Sequence, residues 1–202
     1  MSRSTSRAVW GDNGGSPERI VGKKSAGILP YRRVGNRVEV LLVHPGGPYW
    51  ARWDDGAWSI GKGEYDADEA PFDAALREFQ EETGHRPVGH FFRLTPIKQP
   101  GGKWISAWAV DDAWEPSGFR SNTFTLEWPR GSGKMRQFDE VDRVEWFDIQ
   151  AAVVKIVPGQ LGFLQELSEH LLGRGLRVHA ARLARGPGPV RCGVPGSPGT
   201  CG

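Results

Sequence analysis

The stretch GEYDADEAPFDAALREFQEETG, residues 63–84, constrains the fold more than any other part of the chain. Phe72, Leu76 and Phe79, with Ala75 between them, recur at the spacing of one helical face. Pro71 suits a first helical position and Gly84 a helix stop. A helix with that face must bury it against another apolar surface. Its flank is unusual. The stretch holds eight acidic side chains, and Glu78, Glu81 and Glu82 gather on one side of the helix. Like charges one turn apart cost a helix roughly 0.2–0.5 kcal/mol per pair. Carboxylates crowded in this way have raised pKa values unless a cation lies among them. A hard divalent ion with oxygen ligands, Mg²⁺ or Mn²⁺, suits that place, and a solvated acidic face is the plain alternative.

The rest of the chain supplies the surface such a helix needs. SAGILPYRRV and VEVLLVHPG read as strands joined by a turn at Gly35 to Arg37. GAWSIGKGE reads as a short apolar strand followed by a glycine-punctuated loop. GHFFRLTPIK and KWISAWAV are two further strands around a turn at Pro100 to Gly102. VDRVEWFDI is another strand, and GQLGFLQELSEHLL is a closing amphipathic helix. This mixture predicts a mixed sheet covered by helices. Residues 1–22 and 173–202 lack periodicity and read as disordered ends, the second rich in Gly, Pro and Arg, leaving 23–172 as the folded domain.

Several function classes are disfavoured. A net charge of +2 over 202 residues announces no nucleic-acid or membrane partner. No run approaches the roughly 18–20 apolar residues of a membrane span, and the N-terminus has no signal-like apolar core. Cys192 and Cys201 both fall in the C-terminal segment, without paired metal-site spacing. A soluble cytoplasmic protein is the expectation.

Gly63, Glu69, Arg77, Glu78, Glu81, Glu82 and Gly84 form the pattern G-x5-E-x7-R-E-x-x-E-E-x-G. That pattern resembles the Nudix box, and the chain looks like a Nudix hydrolase over about residues 23–171. Phe79 and His85 replace commoner aliphatic residues, and Gly61-Lys62-Gly63 replaces the usual Pro-Lys-Gly. HPGGPYWARWDDGAWSIGKGE, SNTFTLEW and FDEVDRVEWFD look like a bacterial subgroup of predicted nucleoside triphosphate pyrophosphohydrolases.

The resemblance implies an α+β fold, an α/β/α sandwich around a mixed β-sheet. It also implies Mg²⁺- or Mn²⁺-dependent cleavage of a phosphoanhydride in a nucleoside diphosphate linked to another group. The substrate would be a nucleoside triphosphate or a dinucleoside polyphosphate. Glu78, Glu81 and Glu82 would hold metal, with the Lys62 carbonyl completing the set, and Glu69 and Arg77 would clamp the loop to the helix. Glu140 is the candidate general base, or a further metal ligand, and Asp139 and Asp142 are neighbours able to substitute. Glu81 remains a second catalytic candidate inside the box. Arg52 and the Lys62 side chain could meet phosphate oxygens. Trp50 and Trp53 are candidates for stacking on a nucleobase, with Phe124, Trp128, Trp104 and Trp108 as rivals. Trp58 reads as core, and His44 as a solvated or packing histidine. The alternatives are a non-catalytic nucleotide-sensing domain and an RNA 5′-end pyrophosphohydrolase. A homodimer is compatible with the resemblance.

Overall fold

The computed structural model describes residues 24–172. Both end segments lie outside the described residues. The central strand β1 (Lys24–Val34) alternates Ala26 and Ile28 on one face with Leu29 and Tyr31 on the other. Both faces are apolar because both are covered. Strand β2 (Arg37–Pro45) pairs antiparallel with the second half of β1, and β3 (Gly61–Glu64) pairs antiparallel with its first half. Along its other edge β1 runs parallel to β5 (Trp104–Asp111), whose residues Ile105 to Val110 are all buried. A strand covered on both sides has this near-continuous apolar sequence. β4 (Phe91–Lys98) and β8 (Val141–Asp148) complete the sheet, which runs β4-β5-β1-β2-β8 with β3 beside β1.

Helix α1 (Pro71–Thr83) covers one face, packing Ala75, Leu76 and Phe79 against Ala26, Ile28, Leu41 and Val43. Gly84 adopts φ 76°, and its N–H caps the Gln80 carbonyl at 2.8 Å. That left-handed conformation is the one a glycine adopts without a Cβ clash. The other face is covered by α2 (Ile149–Lys155) and α3 (Leu161–Leu172), which bring Ala152, Phe163, Leu164 and Leu167 to Leu29, Val40 and Leu42. The result is an α/β/α sandwich around a mixed sheet, as the sequence predicts. Among the described residues no helix is long and apolar enough to cross a membrane.

Three features differ from the sequence reading. The strand expected over residues 57–60 is only a pair of isolated bridges, Ser59 to Val43 and Trp58 to Ile156. The true strand is the glycine-rich Gly61–Glu64, read from sequence as loop. Ala57, Trp58 and Ile60 are buried because they pack into the core, and apolar burial alone does not make a ladder. The seven-residue α2, capped by Asp148 accepting from the Ala151 N–H at 2.8 Å, is too short to show helical periodicity. The hairpin of β6 (Thr123–Glu127) and β7 (Met135–Asp139), which the sequence reading did not assign, forms its own two-stranded sheet and lies largely exposed.

Candidate active site

Two missing side chains let β3 and α1 touch. A Cβ on Gly63 would lie 1.7 Å from Glu78 Oε2, so the Glu78 carboxylate rests directly on the Gly63 backbone. A Cβ on Gly61 would meet Phe79 Cδ2 at 2.6 Å, inside the core. Between them the Lys62 N–H donates to Glu82 Oε2 at 2.8 Å. A strand residue directs its N–H and C=O to the same edge, so the Lys62 carbonyl also faces the side of Glu82.

Arg77 holds the flank together. Its Nε and Nη2 form a fork on the two Glu69 oxygens, both at 2.8 Å. Its Nη1 reaches Glu78 Oε1 at 2.7 Å and Glu81 Oε2 at 3.3 Å. The hydrogen bond to Glu69, followed by that to Glu78, pushes the Arg77 pKa up, and the same bond holds Glu69 down. Burial pushes Glu78 up, against the pull of Arg77. Glu82 is pushed up to about 8, chiefly by burial, with the charges of Glu78 and Glu140 adding and Lys62 opposing. Burial also lowers the partly buried Lys62, with Glu82 opposing.

Glu140 is brought to this cluster by main-chain bonds. The Asn122 N–H donates to the Glu81 carbonyl at 3.2 Å, and the Arg120 N–H to the Thr83 carbonyl at 3.2 Å. The Glu140 N–H then donates to the Asn122 carbonyl at 2.8 Å, and the Val141 N–H to Ser121 Oγ at 2.9 Å. Residues 120–122 thus tie the end of α1 to the start of β8. From the other side the Gly46 N–H donates to the Glu140 carbonyl at 2.9 Å. A Cβ on Gly46 would sit 2.1 Å from the Asp139 carbonyl oxygen, so only glycine permits this approach.

The remaining candidates divide. A cavity of about 470 Å³ lies beside Glu140, lined among others by Pro48, Ala51, Thr123, Gln137, Phe138 and Asp139. Trp50 and Trp53 are exposed on either side of Ala51 and outside this lining, as is exposed Arg52. Phe124 packs under Gly47, and Trp128 stacks edge-to-face with Tyr49 at 5.3 Å. Trp58 and Trp108 are buried in the core, Trp58 as expected. Asp142 is engaged by His44 at 2.6 Å. His44 is fully buried, so the solvated alternative for it does not hold. The sequence reading missed Asn122, Ser121 and Gly46. The first and last act through main-chain atoms, which leave little side-chain signature.

The donor set suits a hard divalent cation. It consists of carboxylate oxygens and one main-chain carbonyl edge, and burial pushes the Glu78 and Glu82 carboxyls up. Among the described residues, no three acidic, histidine or cysteine side chains converge in a ready-made metal cage. The reason is visible: Arg77 draws Glu78 and Glu81 toward itself, and the Lys62 N–H draws Glu82.

A glycine-laced strand leading into an acidic helix, on a mixed sheet covered by helices on both faces, defines a recognisable class. The NUDIX domain family profile matches residues 23–167, and the chain belongs to that family. The 8-oxo-(d)GTP phosphatase of Mycolicibacterium smegmatis is 34% identical over 119 residues, 57% of this chain. The match spans only 29% of that protein's length. An Ap4A hydrolase from C. elegans, solved as a binary complex, has a TM-score of 0.51 at 22% identity, covering 75% of this chain and 99% of that one. The NUDIX domain of Shewanella oneidensis NrtR complexed with ADP ribose gives 0.52 at 15% identity, covering 73% and 87%. At these identities the structural likeness is one of fold.

Proposed function

We propose that the chain is a cytoplasmic, Mg²⁺- or Mn²⁺-dependent hydrolase of a phosphoanhydride bond in a nucleoside diphosphate linked to another group. A nucleoside triphosphate or a dinucleoside polyphosphate is the substrate class. The observation that carries this reading is the acidic flank of α1 beside the glycine-laced strand β3. Glu78, Glu81 and Glu82 share one flank of α1, and the charge of Glu140 bears on both Glu78 and Glu82. Support for nucleotide chemistry also comes from the relatives, one named as an 8-oxo-(d)GTP phosphatase and one as an Ap4A hydrolase.

Glu78, Glu81, Glu82 and the Lys62 carbonyl would hold the metal. When bound, the ion would neutralise phosphate oxygens and lower the pKa of water, which phosphoanhydride cleavage requires. Arg77 and Glu69 fix the loop to the helix. Arg52 and the Lys62 side chain meet phosphate oxygens. The nucleoside lies in the cavity beside Glu140, with Trp50 and Trp53 at its outer rim. Water attacks one phosphorus in line, and Glu140 takes its proton. Phosphorus–oxygen cleavage expels the leaving phosphate on the opposite side.

Product analysis on a panel of nucleoside triphosphates and dinucleoside polyphosphates, with and without Mg²⁺, tests the reading. Metal-dependent release of phosphate or pyrophosphate from a triphosphate, or of two mononucleotides from a dinucleoside polyphosphate, reduced at least about 10²-fold in Glu82→Gln, is the expected result. Nucleotide binding without turnover at any metal concentration would favour the sensing domain instead.

A further inference from the structure

His44 ends strand β2 with its ring fully buried. Its Nδ1 lies 2.6 Å from Asp142 Oδ1, and its Nε2 lies 2.8 Å from the Trp53 carbonyl oxygen. The ring therefore ties the start of β8 to the loop at Trp53.

Charged side chains surround the pair. Asp142 faces the ring from β8. Arg143, on the same strand, is spent elsewhere: its guanidinium lies 4.9 Å from the Trp58 ring, 3.4 Å from the Trp53 carbonyl and 3.4 Å from Asp54. Asp54, in the loop behind, is occupied by Trp58 Nε1 at 2.9 Å and by Lys155 of α2. The Trp58 ring packs edge-to-face on His44 at 5.2 Å.

The position of the contact gives it a role. β2 and β8 pair His44 with Arg143 and Pro45 with Val141, which leaves Asp142 as the extra residue of a bulge. A bulge re-aims a side chain and bends its strand, and here it turns Asp142 onto His44 two residues after Glu140. Two residues beyond His44, Gly46 holds the Glu140 carbonyl. Through Trp53 the same ring fixes the loop that carries Pro48 and Ala51, one wall of the cavity.

We propose that His44 is a buried clasp that positions Glu140, and with it the wall of the nucleoside cavity. This inference rests on the proposed hydrolase. His44 touches no reacting atom and acts only through Asp142 and the Trp53 loop.

Steady-state kinetics compare His44→Gln in the wild-type and Glu140→Gln backgrounds of the full chain. In the wild type it should lower kcat about tenfold or more, with KM changing by less than about threefold, and in Glu140→Gln it should add less than about threefold. Equal losses in both backgrounds would refute positioning. If His44→Gln fails to fold, Asp142→Ala carries the same cycle, since it removes the acceptor. A wild type inert toward every nucleotide would overturn the proposed function, and the clasp's role with it, whereas equal losses in an active enzyme overturn the clasp alone.

Discussion

Gly63→Ala separates the chemistry of the acidic flank from the stability of the fold. The new methyl group would fall 1.7 Å from Glu78 Oε2 and 2.0 Å from its Cδ, so the Glu78 carboxylate must leave. That carboxylate is the far end of a flexible side chain, and leaving costs chiefly its bond to Arg77 at 2.7 Å. Arg77 is 39% exposed, and pairs of this kind contribute roughly 0–1 kcal/mol. Replacing glycine in an extended strand returns about 0.4–1 kcal/mol by restricting the unfolded chain. Stability should therefore change by less than about 1 kcal/mol, whereas kcat/KM should fall by at least about 10²-fold, or about 2.7 kcal/mol. Gly61→Ala is the contrast. Its methyl group would meet the buried Phe79 ring at 2.6 and 3.1 Å, and overpacking a core costs about 1–3 kcal/mol. Urea melts and steady-state kinetics on both variants decide the matter. A fully active Gly63→Ala would refute the place given to Glu78, and a Gly63→Ala as unstable as Gly61→Ala would refute the yielding carboxylate.

The remaining predictions concern the carboxylates themselves. In metal-free protein, a Glu82 pKa raised from 4.5 to about 8 means that folding binds a proton between those values, so stability falls as pH rises through that window. At about 1.4 kcal/mol per unit the loss is at most about 5 kcal/mol. Glu82→Gln should flatten the slope and be no less stable in urea melts at pH 8.5 with chelator, while losing at least about 10²-fold in turnover with metal. An undiminished slope would count against the buried carboxylate. Glu140→Gln should lower kcat by about 10²–10⁴-fold with nucleotide affinity nearly unchanged, and the pH–rate profile should lose its acidic limb. A profile that keeps the limb would move the base to Glu81 or Glu78.

What could be read from the sequence was what depends on side-chain identity at short range. The apolar face of α1 and the Gly84 stop are set within one turn or one loop and appear as expected, and the Glu69–Arg77 ion pair lies within the same stretch. The path that delivers Glu140 was not legible. It runs through the amides and carbonyls of residues 120–122, which any sequence could supply. His44 and Asp142 are 98 residues apart and meet only because β2 pairs with β8 around a bulge. β3 escaped for a related reason. Its four residues carry almost no apolar signal, and they form a strand because two glycines let them lie between β1 and α1.

Mn²⁺ binding, followed by the loss of the free-ion electron paramagnetic resonance signal, tests the central claim most directly. The wild type should bind at least one Mn²⁺ per chain, and the Glu78→Gln/Glu82→Gln double variant, folded by circular dichroism, should bind none at the same concentration. Equal binding by both proteins would contradict the account.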